Sequence, residues 1–236
     1  MILIFFTITI NRVFGYVRFK YGTPMKLLHL TFSPRGENSE STQLSQAIVD
    51  QLCNQYSISH ITSRDWRLHA TSAIDANYAT ALSSAARSSD EGLSYEGSLE
   101  ESERLICELE EADMVVIGTP MHNFTVPATL KTWIDLVVRV NRSFTITPSG
   151  KVGTLSNKPV YIAIAAGGFF GSEQSRQPDF LTPYLKAILG TIGLHDLRFF
   201  SAQGMALDIS KVKVQRQKAL DRITSIGTEI IESEGT

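Results

Sequence analysis

The residues that decide the fold are Met114-Val115-Val116-Ile117-Gly118-Thr119-Pro120-Met121-His122-Asn123-Phe124-Thr125-Val126-Pro127. Residues 114–119 form a short, nearly all-apolar run, the pattern of a strand buried on both faces. The loop 120–126 interrupts it. Pro127 then stands where a helix can begin without losing a needed N–H. Leu130, Ile134, Val137 and Val138 follow at helical spacing as that helix's buried stripe.

The same unit recurs on either side. Toward the N-terminus, residues 26–31 read as a strand and 32–39 as a polar loop. Leu44, Ala47, Ile48, Val49 and Leu52 then mark a helix whose N-cap is Ser39 or Ser41. Toward the C-terminus come a strand over 159–166, a loop over 167–177, a helix over 180–192, a strand over 196–201 and a closing helix over 208–232. Residues 59–63 read as a weaker strand. The polar stretch 65–97 holds one helix around 77–86, and Ser98 opens another, with Glu100, Glu101 and Glu103 near its positive end. Residues 144–152, with Thr147, Pro148, Ser149 and Gly150, read as an extended segment turning back on itself. Strands alternating with helices predict an α/β fold: a doubly wound parallel sheet of five strands with helices on both faces. Such sheets bind ligands beyond the carboxyl ends of their strands, where the strand order switches.

Composition narrows the function. The 236 residues carry a net charge of −2, with 43% apolar and 19% charged residues, so the chain is globular in type. No run of like charge could track a phosphate backbone or an anionic membrane, and neither nucleic acid nor membrane is expected as a partner. Cys53 and Cys107 fall in helical segments, outside any C-x-x-C pair, and are expected to be small buried hydrophobes in a reducing, cytoplasmic compartment. No metal site is expected. The apolar run 1–10 precedes Asn11, Arg12, Arg18 and Lys20, the reverse of a secretory signal, and covers about half the ~20 residues a membrane helix needs. Residues 1–24 are therefore expected to be an extension of uncertain order, upstream of a domain over 25–236.

Three loops qualify as the ligand site. Ser33-Pro34-Arg35-Gly36-Glu37-Asn38-Ser39-Glu40-Ser41 offers hydroxyls and N–H groups at a helix N-terminus, an anion cradle for a phosphate; the serines could equally serve only as caps and turns. It is neither a Walker loop nor a dinucleotide fingerprint. Pro120-Met121-His122-Asn123-Phe124 can give a planar heteroaromatic ring an edge of amide donors and acceptors and an apolar face. His122 is either a proton-transfer group or an exposed loop residue. Ala165-Ala166-Gly167-Gly168-Phe169-Phe170-Gly171 can bring its main chain close to a ring, or can be an ordinary flexible turn. No nucleophile stands out: Ser33 lacks a G-x-S-x-G setting, and His29, His60, His69 and His195 read as structural or solvent-facing.

From Met25 to about Leu207 the chain resembles the FMN-dependent NADH:quinone oxidoreductase, or azoreductase, family, which has the flavodoxin-like fold. The resemblance is carried by SPRGENSESTQLS, by the long and specific PMHNFTVPATLKTWIDLVVR, and by the later GG and DFLTPYLKAILGTIGL segments. It implies that Ser33, Ser39, Glu40 and Ser41 surround the FMN phosphate. Pro120, Met121, His122, Asn123 and Phe124 would run along the flavin ring, and Ala165, Ala166, Gly167 and Gly168 would cover its far edge. It also implies NADH or NADPH as donor, quinone, azo or nitroaromatic acceptors, and a homodimer in which Phe144 and its neighbours reach toward the partner's flavin. With one nucleotide site, donor and acceptor would use the same flavin face in turn. Glu40 stands where relatives often have an uncharged residue, so its carboxylate must turn outward while its N–H binds. Ala165 and Ala166 replace a more polar pair. Phe169 and Phe170 suit either the acceptor pocket or the core. The rivals are a flavodoxin-type electron carrier, against which the near-neutral charge counts, and a flavin-free binding module.

Overall fold

A computed structural model describes residues 23–68, 74–85, 96–171, 175 and 177–226. The expected extension over 1–24 lies almost wholly outside these residues, as do parts of 65–97, His69 and the end of the expected closing helix. The elements in chain order are β1 (Met25–Thr31), α1 (Glu40–Gln55), β2 (Ile58–Asp65), α2 (Ala76–Ala85), α3 (Ser98–Glu111), β3 (Met114–Pro120), α4 (Ala128–Val137), β4 (Phe144–Thr147), β5 (Gly150–Gly153), β6 (Val160–Ala165), α5 (Leu181–Thr191), β7 (Leu197–Ala202) and α6 (Ile209–Thr224). No described helix is long and apolar enough to cross a membrane.

Five strands pair in parallel in the order β2-β1-β3-β6-β7. Successive side chains of a strand point to opposite faces, and the apolar runs sort accordingly. Leu28, Leu30, Val115, Ile117, Ile162 and Ile164 join a core with Ile106, Trp133 and Leu185 from α3, α4 and α5. Leu27, Met114, Val116, Tyr161 and Ala163 join another with Ile48, Leu52 and Ile223 from α1 and α6. The order switches between β1 and β3, since the chain leaves β1 through α1 toward one sheet edge and leaves β3 through α4 toward the other. Gly118 lets α1 lie close on β3 there: a Cβ at this position would meet Ser45 Oγ at 2.5 Å and the Ser41 carbonyl at 2.9 Å.

Long-range polar contacts tie the outer helices down. The Lys158 ammonium is buried and donates to the carbonyls of Leu109 (2.6 Å), Glu110 (3.3 Å) and Ala112, where α3 leaves carbonyls without helical partners. Asp75 accepts from the N–H of Tyr78 at 2.7 Å and of Ser98 at 2.9 Å, so one carboxylate serves the starts of both α2 and α3; these bonds hold its pKa below the ordinary value. Buried Arg139 donates to Ser102 Oγ at 3.0 Å and pairs with Glu103, which also accepts from Arg142 at 2.8 Å.

Some expectations need correcting. Cys53 is exposed and Cys107 half-buried. Each follows a buried residue, Leu52 or Ile106, and one step along a helix turns a side chain by about 100°, off the core stripe. Ser39 takes the N-cap position of α1, yet its hydroxyl does not cap. The hairpin β4–β5 forms as expected, with Phe144 buried at 6% exposure and Lys151 Nζ 5.1 Å from its ring centre. Phe144 is therefore packed into its own chain, and Ile146 and Val152 are the residues that project.

Candidate functional site

The phosphate-type cradle is assembled where β1 hands over to α1. The Ser33 carbonyl accepts from the Gly36 N–H at 3.1 Å and its hydroxyl from the Arg35 N–H at 3.3 Å, closing a turn on Ser33. A short 3₁₀ turn over Gly36–Asn38 then delivers Ser39 to the start of α1. The helical ladder opens with the Gln43 N–H donating to the Ser39 carbonyl at 2.9 Å. The N–H groups of Glu40, Ser41 and Thr42 therefore precede it, as the first N–H groups of any helix do. Ser39 and Ser41 are buried with their hydroxyl oxygens 3.0 Å apart. The Thr42 hydroxyl is buried and has no hydrogen-bond partner. Beneath this turn, His29 Nε2 lies 2.9 Å from Ser45 Oγ, and burial brings the imidazole pKa down to about 4. The Glu40 carboxylate is turned away onto Arg216 of α6.

The second loop is anchored at one end and strained at the other. The Met121 N–H donates to the Ala165 carbonyl at 2.8 Å, joining this loop to the third. His122 and Thr125 exchange bonds of 2.9 and 3.0 Å across a two-residue turn. The turn forces left-handed backbone on Asn123 (φ 48°) and Phe124 (φ 69°). Asn tolerates this; Phe does so at a cost of roughly 1–2 kcal/mol. His122, Asn123 and Phe124 are all exposed, and the Phe124 carbonyl accepts from the Phe180 N–H at 3.1 Å, which fixes the turn to the start of α5.

In the third loop the carbonyls of Ala166, Gly167 and Gly168 accept from the N–H groups of Met205, Ala206 and Gly204 at 3.0, 3.2 and 3.2 Å. Those bonds hold the loop flat against the segment after β7. Ala166 is buried and its N–H is taken by the Ala202 carbonyl at 3.0 Å, so it supports the loop and offers no free main-chain donor. A Cβ on Gly168 would come within 2.6 Å of Gln177 Oε1, and Gln177 Nε2 lies 3.6 Å from Met121 Sδ. Phe170 is buried, whereas Phe169 is 40% exposed. Phe169 lines an open groove of about 550 Å³ with Leu207, Ser210, Lys211, Val214 and Gln215.

The three loops meet at one rim. Thr31 lies opposite Gly118, and Pro120 opposite Ala165, in adjacent strands. The Phe32 N–H donates to the Gly118 carbonyl at 2.9 Å, and Thr129 Oγ1 donates to the Phe32 carbonyl at 3.0 Å, which ties the first loop to the second. Sequence reading missed Thr42, although it continues the S-E-S-T run, and Arg216, for which no local pattern could give a signal. His60 and His195 are exposed, and His29 is a buried structural group. Among the described residues no three His, Cys, Asp or Glu side chains form a metal-binding group.

Residues 25–226 match the family model described as the flavodoxin-like fold. The FMN-dependent NADH:quinone oxidoreductase 4 of Pseudomonas fluorescens strain Pf-5 is 41% identical over 194 residues, 82% of this chain and 91% of that protein. The FMN-dependent NADH:quinone oxidoreductase 5 of Burkholderia lata is 40% identical, over 80% of this chain and 90% of that protein. Among solved structures, an azoreductase from Bacillus anthracis strain Sterne superposes with a TM-score of 0.74 at 21% identity, covering 86% of this chain and 98% of the other.

Proposed function

Because this chain belongs to the flavodoxin-like family of FMN-dependent NADH:quinone oxidoreductases, we propose that it catalyses two-electron reduction of quinone, azo or nitroaromatic acceptors by NADH or NADPH at one FMN per subunit. The observation that carries this reading is the meeting of three loops at the β1/β3 switch, the place where such sheets take a nucleotide.

The residues at the rim fit that cofactor. A phosphate dianion needs donors, and the cradle supplies helix N-terminal N–H groups together with the Ser33, Ser39 and Ser41 hydroxyls. Thr42, next in the helix's first turn, has a buried hydroxyl without a partner among the described residues and is the further candidate donor. Ser39 and Ser41 share one hydrogen bond in the free chain and would give it up to turn both protons toward an anion. Along the ring, Pro120, Met121, His122, Asn123 and Phe124 give one edge. Gly167 and Gly168 give the other, closely approached because neither has a side chain.

When bound, FMN would supply the hydride and two-electron redox chemistry of the reaction. The chain's own task is to hold, orient and expose it. Main-chain N–H groups of Gly167 and Gly168 would stabilise negative charge on a ring held against them. His122, exposed in the second loop, is the candidate proton donor, and no side-chain nucleophile is required. With no separate dinucleotide fingerprint in the sequence, donor and acceptor would alternate on the same face. Phe169, exposed in the third loop, is the candidate aromatic group for the acceptor, and Phe170 belongs to the core.

Residues 25–236 act in this reading as one cofactor-binding domain, with 1–24 as an extension, in the cytoplasm and free of nucleic acid and membrane. A homodimer belongs to this reading; Ile146 and Val152, exposed on opposite faces of the β4–β5 hairpin, are the apolar groups it leaves for a second copy to cover. The names of the relatives favour an enzyme over an electron carrier.

The test is an anaerobic titration of the yellow protein with NADH or NADPH, followed by a benzoquinone. Rapid full bleaching and rapid two-electron reoxidation are expected. Slow bleaching that halts at a one-electron radical would point to a carrier, and a protein that stays colourless with added FMN to a binding module.

A further inference from the structure

Glu40 stands between Ser39 and Ser41 at the first position of α1, and an acidic side chain there faces two opposed demands. In the free protein a carboxylate suits the positive end of the helix and can fold over its first N–H groups. A phosphate needs the same N–H groups, and a carboxylate beside it repels it and competes for its donors. Arg216, 176 residues later on α6, meets this conflict. Its Nε donates to Glu40 Oε2 at 2.8 Å and its Nη2 to Oε1, a two-pronged pair that fixes the direction of the carboxylate. Glu40 retains 20% side-chain exposure and Arg216 40%, so the pair sits at the surface seam between α1 and α6. Arg35, the cation within the loop itself, is exposed, and Arg67 is engaged by Asp65.

We propose that Arg216 is a positioning residue for the phosphate site: it holds the Glu40 carboxylate on the α6 side and so leaves the first turn of α1 free to bind the FMN phosphate. Arg216 touches neither the cofactor nor the reacting atoms. Its effect is confined to the phosphate, because only the phosphate shares donors with Glu40. The inference rests on the FMN reading above.

The experiment is a fluorescence titration of the full-length apoprotein with FMN and with riboflavin, which has the same ring and no phosphate. Wild type, Arg216→Gln, Glu40→Gln and the double variant are compared at low salt and at about 0.5 M NaCl. Arg216→Gln is expected to weaken FMN binding roughly three- to tenfold at low salt, and less at high salt, while riboflavin changes by less than about twofold. Glu40→Gln in the Arg216→Gln background restores FMN affinity to within about twofold of wild type. Glu40→Gln alone binds FMN at least as tightly as wild type, which keeps the test decisive even if Arg216→Gln folds poorly. Equal losses for both flavins, unchanged FMN affinity in Arg216→Gln, no recovery in the double variant, or weaker FMN binding by Glu40→Gln would each overturn the role. A wild type that binds neither flavin would overturn the cofactor reading itself.

Discussion

The two ends of the candidate site are built from opposite materials. At the α1 end the donors are buried hydroxyls and a regular helix start, with Ser39, Ser41 and Ser45 almost wholly shielded and Gly118 pressed against them. At the other end His122, Asn123 and Phe124 are exposed, and two successive left-handed residues carry the turn. A fixed anion is best met by donors that are already oriented and dry, since they lose little on binding. A ring face that must receive and release flat molecules has to stay open. In the proposed reading one end would hold the phosphate and the other would exchange flat molecules.

Replacing Ser39 and Ser41 together by Ala strikes the holding end. Hydrogen bonds to a charged group contribute about 1.5–3 kcal/mol each, so FMN affinity should fall by roughly several hundredfold. Riboflavin affinity should barely change. A fluorescence titration with both flavins reads the difference, and parallel losses would erase the proposed division between the ends.

A second difference lies in pH. His29, under the holding end, is kept neutral by burial, against the pull of Asp50, and its pKa falls from 6.5 to about 4. Above pH 6.5 the folded and unfolded chains hold the same number of protons on this residue. As pH drops below that value the unfolded chain takes up a proton the folded chain refuses, so stability is lost progressively until about pH 4. At about 1.4 kcal/mol per unit, His29 should account for roughly 2 kcal/mol lost between about pH 7 and pH 5. Urea unfolding at the two values checks this: the loss should shrink by that amount in His29→Gln, and an identical loss in both proteins would assign it to carboxylates instead.

The smallest effect belongs to the exchanging end. Phe124→Gly removes a bulky residue from φ 69° and should stabilise the apoprotein by about 1 kcal/mol. It should weaken FMN and riboflavin alike, by a few-fold, since no phosphate contact is involved. Thermal unfolding with the same titrations tests both halves. A loss of apoprotein stability would mean that Phe124 packs more than its 42% exposure indicates.

What could be read from the chain itself divides along similar lines. The strands were legible because a strand buried on both faces is mostly apolar, as in Val160–Ala165 and in Met114–Pro120, where Thr119 is the buried polar exception. Their loops were legible because this topology leaves ligands only the carboxyl rim. Contacts made across the fold were not. Nothing near Glu40 announces Arg216 on α6, nor does anything near Asp75 announce Ser98. The buried Lys158 reads as an ordinary surface residue until the end of α3 comes to rest above it. Phe124 carries no left-handed signal, because its conformation is imposed by the His122–Thr125 pairing. Ser39 has the residue type of a cap, but its hydroxyl is drawn to Ser41 instead.

Hydrogen–deuterium exchange with and without FMN addresses the central claim directly, because it reads main-chain N–H groups in all three loops at once. The account predicts that FMN slows exchange together at Glu40, Ser41 and Thr42, at His122 through Thr125, and at Gly167 and Gly168. Riboflavin should protect only the last two segments. Protection confined to a single loop, or centred instead on the groove of Phe169, Leu207 and Val214, would contradict it.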